Sequence, residues 1–167
     1  MKRIPLTKGK FAIVDDDDFI KLSKYKWCLF YKNGKTGLIC NAVRNSSKKN
    51  GKKSRLIYMH REIMEAPSGL LVDHINFNSL DNRKLNLRVC TASQNQFHRR
   101  RQKHRKYNAK YKGIFYNKRR GKWTSSIGYL NRVYYLGTFN NQEDAAIYYN
   151  VAAQIFHGRF AVLNKIP

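Results

Sequence analysis

Carboxylates are the scarce side chain in this sequence: 10 Asp and Glu stand against 34 Lys and Arg over 167 residues, a formal net charge of +24. Such a field repels itself in an isolated protein, so a polyanion is the partner that balances it. Cysteine is scarce too. Cys28, Cys40 and Cys90 are odd in number and widely spaced, which fits neither a disulfide framework nor a CxxC zinc site. They read as reduced core thiols in a cytoplasmic protein. No apolar run is long enough to cross a bilayer, no signal-peptide segment follows Met1-Lys2-Arg3, and no long basic amphipathic helix is evident. Nucleic acid is therefore expected rather than a membrane. Disorder, the other companion of high charge, is opposed by what the chain has in quantity. Its 42% hydrophobic and 13% aromatic residues supply folded cores, and Tyr and Phe beside Lys and Arg can also stack on bases.

The first 60 residues read as short strands and turns. Phe11 to Val14 is an apolar run that ends on Asp15-Asp16-Asp17-Asp18, a cluster that is either a solvated turn and helix start or a cation site. Trp27 to Tyr31 and Leu38 to Val43 predict two strands with a turn at Asn33-Gly34. Ser46 to Ser54 is a Lys-rich loop, and Leu56 to His60 resumes a strand or a helix entry. Residues 70–100 then show strand, loop, strand and helix. Leu70 to Val72 is apolar, Asn76 to Asn86 is dense in Asn, Asp and Ser, and Leu87 to Cys90 is apolar again. Thr91-Ala92-Ser93-Gln94 has the capping-box pattern of a helix start, with Asn95 and His98 three apart on one face.

Residues 99–112 hold eight Lys and Arg and no acid, the composition of a linker that tracks a phosphate backbone. Beyond it, Gly113 to Asn117, Trp123 to Tyr129 and Val133 to Phe139 are strand-like. Gln142 to His157 is a helix whose Ala145, Tyr149, Ala152, Ala153 and Phe156 share one face, with Gly158 to close it.

Asp73-His74 at the end of an apolar strand is where chemistry concentrates. Asp-His can be a plain turn, and a helix Asn is usually only a polar residue. Phosphodiester hydrolysis, however, needs an activated water, charge neutralisation on the phosphate and help for the leaving oxygen. A cation held by a carboxylate and an amide oxygen supplies the last two, and a neutral imidazole supplies the first. Adjacent residues on a strand point to opposite sides, so Asp73 can face a metal while His74 faces a water, and Asn95 can add the second oxygen.

The series Val72-Asp73-His74-Ile75, Asp81-Asn82-Arg83, Asn86-Leu87-Arg88, Thr91 and Asn95 closely resembles the HNH homing endonucleases of phage introns and intergenic regions, over roughly residues 55–100. The resemblance implies a ββα-metal fold around one divalent cation, with Mg2+ as cofactor and Mn2+ as substitute. It implies Asp73 and Asn95 as metal ligands, His74 as general base and Asn86 as the residue holding the loop that orients the histidine. His98, where many relatives have Asn, contacts phosphate or metal or simply packs. Arg83 and Arg88 are candidate phosphate clamps or partners of Asp81.

A second resemblance covers residues 111–164. Tyr111-Lys112-Gly113-Ile114, Gly121-Lys122-Trp123, Leu136-Gly137-Thr138-Phe139, Glu143-Asp144-Ala145-Ala146 and Leu163-Asn164 look like the ethylene-response-factor (APETALA-type) DNA-binding domain. That family lays a three-stranded sheet in the major groove. Carried over by position, Lys112, Phe115, Asn117, Arg119, Ser126, Gly128, Val133 and Tyr135 face the groove. Lys118, Arg120, Lys122 and Arg132 suit phosphate contacts, with a solvated basic face as the bland alternative.

The expected fold is α+β: a β-rich nuclease domain over 1–98 with its ββα-metal motif at about 70–98, a basic linker at 99–110, and a sheet packed on one helix over 111–167. The expected function is a site-specific, metal-dependent endonuclease acting on double-stranded DNA, with no obligatory protein partner. A single site without a clear dimerisation stripe favours a monomeric nickase. Its rivals are a non-catalytic DNA-binding regulator and an RNA-binding protein.

Overall fold

The computed structural model describes residues 1–34, 37–46, 54–100 and 109–167, and its contacts divide the chain into two compact units, Met1–Thr91 and Ala92–Pro167. Both mix helices with small antiparallel sheets, an α+β architecture.

In the first unit, β1 (Lys2–Pro5) and β2 (Phe11–Val14) form an antiparallel pair with Ile4 opposite Ala12. Helix α1 (Asp16–Leu22) follows Asp15, with Asp16, Asp17 and Asp18 in the first turn, where negative charge meets the positive end of the helix dipole. Strands β3 (Cys28–Gly34), β4 (Gly37–Asn45) and β5 (Leu56–Tyr58) make a three-stranded sheet in that order, and α2 (Met59–Ile63) continues directly from β5. Strands β6 (Leu71–His74) and β7 (Leu87–Cys90) form a two-stranded ribbon with His74 opposite Leu87. Ile4, Val14, Leu22 and Met59 are fully buried in one core that also holds Trp27 and Leu87. The Trp27 indole donates to Leu22 O at 2.8 Å, so the one polar atom of that side chain is not stranded.

Two expectations shift here. The ladder pairs Asn33 with Leu38 and Gly34 with Gly37, so Asn33-Gly34 is strand and the connection moves to 35–36, outside the described residues. Of the three cysteines only Cys90 is buried; Cys28 is exposed. Trp27 and Leu29 on either side of it take the core positions, and strand alternation turns Cys28 outward. Most of the Lys-rich loop at 46–54 and of the arm at 99–112 also lies outside the described residues.

The second unit begins with α3 (Ala92–Phe97). Strands β8 (Ile114–Asn117), β9 (Lys122–Tyr129) and β10 (Arg132–Phe139) form an antiparallel sheet with β9 central. Leu130 and Asn131, both at positive φ, make the tight β9–β10 turn. Helix α4 (Gln142–His157) is capped by Asn141, whose side chain accepts from the Asp144 N–H at 2.8 Å. Its face of Ala145, Ala146, Tyr149, Ala152 and Ala153 is buried, against Ile114 at one end and Ile127 at the other. Small residues let the helix lie close to the sheet. Gly113 shows how close: at φ +78°, a Cβ built there falls 1.9 Å from the Tyr149 ring.

Candidate active site

The loop between β6 and β7 is built from its own amides. The Asn86 side chain accepts from Asn76 N at 2.9 Å and donates to Asp81 O at 2.7 Å, and the Asn76 amide donates to Asp81 Oδ2 at 2.8 Å. Asn86 thus closes the loop at both ends. Arg83 grips the buried Asp81 carboxylate with two bonds, 2.8 and 2.7 Å, and this pairing holds the acid below the usual carboxylate range.

Strand β2 anchors the same loop. Ile13 N donates to Leu80 O and Asn82 N donates to Ile13 O, each at 2.8 Å, an isolated bridge between the N-terminal strand and Asp81. The aspartate run contributes too. Asp15 accepts from Lys84 N at 2.8 Å, and Asp18 pairs with the Lys84 ammonium at 3.2 Å. Those acids start a helix and fasten a loop.

Asp73 and His74 end β6. Asp73 is 8% exposed and takes two contacts from Arg88, Nε at 2.8 Å and Nη2 at 2.7 Å. Arg88 therefore partners Asp73, its cross-strand neighbour, and not Asp81. The pair is a charge-assisted contact in a buried place.

The half-buried His74 ring meets Asn82 Oδ1 through Nε2 at 3.3 Å. Asn82 is 1% exposed and its amide nitrogen donates to Leu80 O at 3.2 Å, which turns the oxygen toward the histidine. Nε2 therefore carries the proton, and Nδ1 holds the lone pair. Burial pushes the His74 pKa down, against smaller upward contributions from Asn82, Asp73 and Asp81. The ring is neutral at neutral pH. His60, from α2, packs edge-on against it with centroids 5.2 Å apart. Burial first, and then the His74 and Arg61 charges, lower the His60 pKa to about 3, and its Nδ1 has no hydrogen-bond partner among the described residues.

The structure thus brings Asp73, His74, Asn86, Arg83 and Arg88 together around one loop. Asn95 stands half-buried on α3, and the buried His98 follows that helix; both fall in the second unit.

Within the second unit, cross-strand register sorts the sheet residues. Phe115 lies opposite Thr124, Asn117 opposite Lys122, Ser126 opposite Tyr135 and Gly128 opposite Val133. Opposed residues share a face, so these point away from α4, on which Ile127 packs. Lys118, Arg119 and Arg120 are exposed in the β8–β9 turn, and Arg132 is exposed at the start of β10. Lys112 does not join that face. Its ammonium donates to Phe97 O at 2.7 Å, and burial lowers its pKa to about 8.

The HNH endonuclease family model matches residues 56–97, which span α2, the ribbon and α3. An HNH endonuclease of Acanthamoeba polyphaga mimivirus is 32% identical over 161 residues, covering 95% of this chain and 77% of that protein. The chain belongs to the HNH endonuclease family. It is a nuclease, a hydrolase, and its second unit is similar to a part of plant ethylene-responsive transcription factors. The ethylene-responsive transcription factor WRI1 of Arabidopsis thaliana is 41% identical over 58 residues, 34% of this chain and 14% of that protein. The AP2-like factor ANT of the same plant is 45% identical over 56 residues, 32% of this chain and 10% of that protein.

Sequence reasoning missed two residues of this HNH site. Asn82 sits in a loop whose composition predicts exposure, and only the β2 bridge explains why it is buried. His60 closes the Leu56–His60 apolar run, where a polar residue at a strand–helix junction was the one available signal.

Proposed function

We propose that this chain is a site-specific, homing-type DNA endonuclease in which His74 is the general base and one divalent cation, Mg2+ with Mn2+ as substitute, is held by Asp73 and Asn95. The donor chemistry fits such an ion: a carboxylate and an amide oxygen are hard ligands. When bound, the cation neutralises the charge developing on the scissile phosphate and on the departing 3′ oxygen.

The chain's own residues do the rest. His74 Nδ1 accepts a proton from the attacking water, while Asn82 holds the opposite ring nitrogen in its N–H form. Arg88 fixes the orientation of the Asp73 carboxylate, and Asn86 keeps the loop closed. Lys118, Arg120, Lys122 and Arg132 contact phosphates; Arg119, expected at the groove, lies with Lys118 and Arg120 in the exposed β8–β9 turn and joins them, while Asn117, Ser126 and Tyr135 meet base edges. Lys112, turned inward, supports the unit from within. The nuclease portion extends through His98, the basic segment at 99–110 tracks the backbone, and 111–167 recognises the site.

The single observation carrying this reading is a neutral imidazole with its tautomer fixed by Asn82, one residue from a buried, arginine-paired carboxylate. The test is cleavage of end-labelled duplexes from a pool of sites under Mg2+, Mn2+ or EDTA, with Asp73→Ala and His74→Ala beside the wild type. Discrete, cation-dependent products lost in both variants are expected. Products that persist in His74→Ala at the wild-type rate would remove the general-base assignment.

A further inference from the structure

The open face of the β8–β10 sheet is unusual for a surface in so basic a chain. Beside the exposed Lys122 at its edge, it carries large exposed apolar and aromatic side chains: Val133 at 77%, Tyr135 at 61% and Phe115 at 45% exposure. Val133 stands opposite Gly128, so no cross-strand side chain shields its methyl groups. The Tyr135 hydroxyl is bonded to Thr138 Oγ1, which pins the ring across the face. No arginine points outward from the strands on this face. Arg119 and Arg120 are in the adjoining turn, and Arg132 alternates with Val133 toward the opposite side.

An unpartnered apolar face invites a second copy of the chain, but a formal charge of +24 repels one. Three strands at about 4.8 Å spacing span roughly 10 Å between the outer two, within the major groove width of about 12 Å. That groove offers one apolar feature among its hydrogen-bonding edges, the 5-methyl group of thymine; guanine, by contrast, is read chiefly by arginine.

We propose that Phe115, Val133 and Tyr135 read thymine methyl groups, so that the base pairs under the sheet are A·T-rich. This rests on the DNA-binding reading above and adds the class of sequence it selects. Val133 and Tyr135 are about 7 Å apart along β10, on the order of two base-pair steps. Two of the methyl contacts therefore fall about two steps apart. Ser126, beside Tyr135, adds a hydroxyl that accepts or donates at a base edge without demanding guanine.

The experiment uses the full chain in EDTA, selecting from a randomised duplex pool. Each thymine in the selected core is then replaced singly by deoxyuridine, which lacks only the methyl group. An A·T-rich core is expected, with about fourfold weaker binding at each contacted thymine, the ~0.8 kcal/mol of one buried methyl converted at 25 °C. Val133→Ala, at an exposed position that folding does not need, should erase the deoxyuridine effect at one position and leave it at the others. A G·C-rich core, or equal affinity for thymine and deoxyuridine at every position, overturns the inference. Binding and cleavage without methyl dependence would sink this inference alone. Failure to bind any duplex would sink it together with the reading it rests on.

Discussion

Replacing Asn82 with Leu removes the acceptor for His74 Nε2–H while nearly conserving volume in a site 1% exposed. A neutral hydrogen bond contributes a net ~0.5–1.5 kcal/mol, so the fraction of His74 in the productive tautomer and orientation should fall by roughly 2- to 13-fold. The second consequence has the opposite sense. The Asn82 bond raises the His74 pKa, so its loss lets burial lower that pKa further. The assay is single-turnover cleavage from pH 5 to 8 at saturating cation, on a duplex that the wild type cuts to discrete products. The wild type should lose activity on the acid side with a midpoint below 6.5, as His74 becomes protonated. Asn82→Leu should be slower on its neutral plateau, with an acid limb displaced to lower pH. A merely destabilised loop would slow the reaction without moving the limb. Circular dichroism at the assay temperature checks folding, since Leu80 O also loses one of its two donors and keeps Ile13 N. An unchanged rate, or a limb that moves upward, refutes the tautomer argument.

Asp73→Ala should remove cleavage and also destabilise the fold in denaturant unfolding by roughly 1–3 kcal/mol, because it removes the carboxylate that pairs with Arg88, whose side chain is only 10% exposed. The double variant with Arg88→Met should recover much of that stability and none of the cleavage. His60 stays neutral down to about pH 3, so the acid limb between pH 5 and 8 should have the slope of one proton, measured on the same reaction. Gly113→Ala drives a Cβ into the Tyr149 ring at positive φ and should destabilise the second unit by at least ~1–3 kcal/mol. Calorimetry would read that loss, and a fall in duplex affinity should accompany it. Affinity should drop steeply as salt rises from 50 to 200 mM, and charge removal at Arg119 or Arg120 should flatten that slope by about one unit each.

Much of the architecture was legible because it is local. Short apolar runs marked β6 and β7, strand-like runs marked β8 to β10, and Gln142 to His157 with Gly158 behind it read as a helix with an alanine face. The Asp73-His74 pair stood out at the end of one short strand, and the family resemblance pointed to Asn86, whose side chain does bond the loop at both ends. What escaped depends on residues far apart in sequence. Nothing near Asn82 foretells that Ile13 will bury it, and nothing near Arg88 distinguishes Asp73 from Asp81 as its partner. Only the antiparallel register does. The β3–β4 turn was misplaced because Asn-Gly is a strong turn former in isolation, and here the two strands pair past it. The resemblance put Lys112 at the groove, and the bond from its ammonium to Phe97 O joins residues that no local pattern connects.

The bridge from Ile13 to the loop at 80–82 also bears on how the molecule comes into being. The β6–β7 ribbon is a local hairpin that can form early, but the backbone bonds that hold Asn82 join positions nearly 70 residues apart. Closing so long a stretch comes late relative to neighbouring contacts. Ile13 leaves the ribosome well before Asn82 and must wait for it. On the mechanism proposed above, a chain whose first strand has not docked would carry Asp73 and His74 in sequence without the buried Asn82 that fixes the imidazole, so cleavage would follow the docking of that strand.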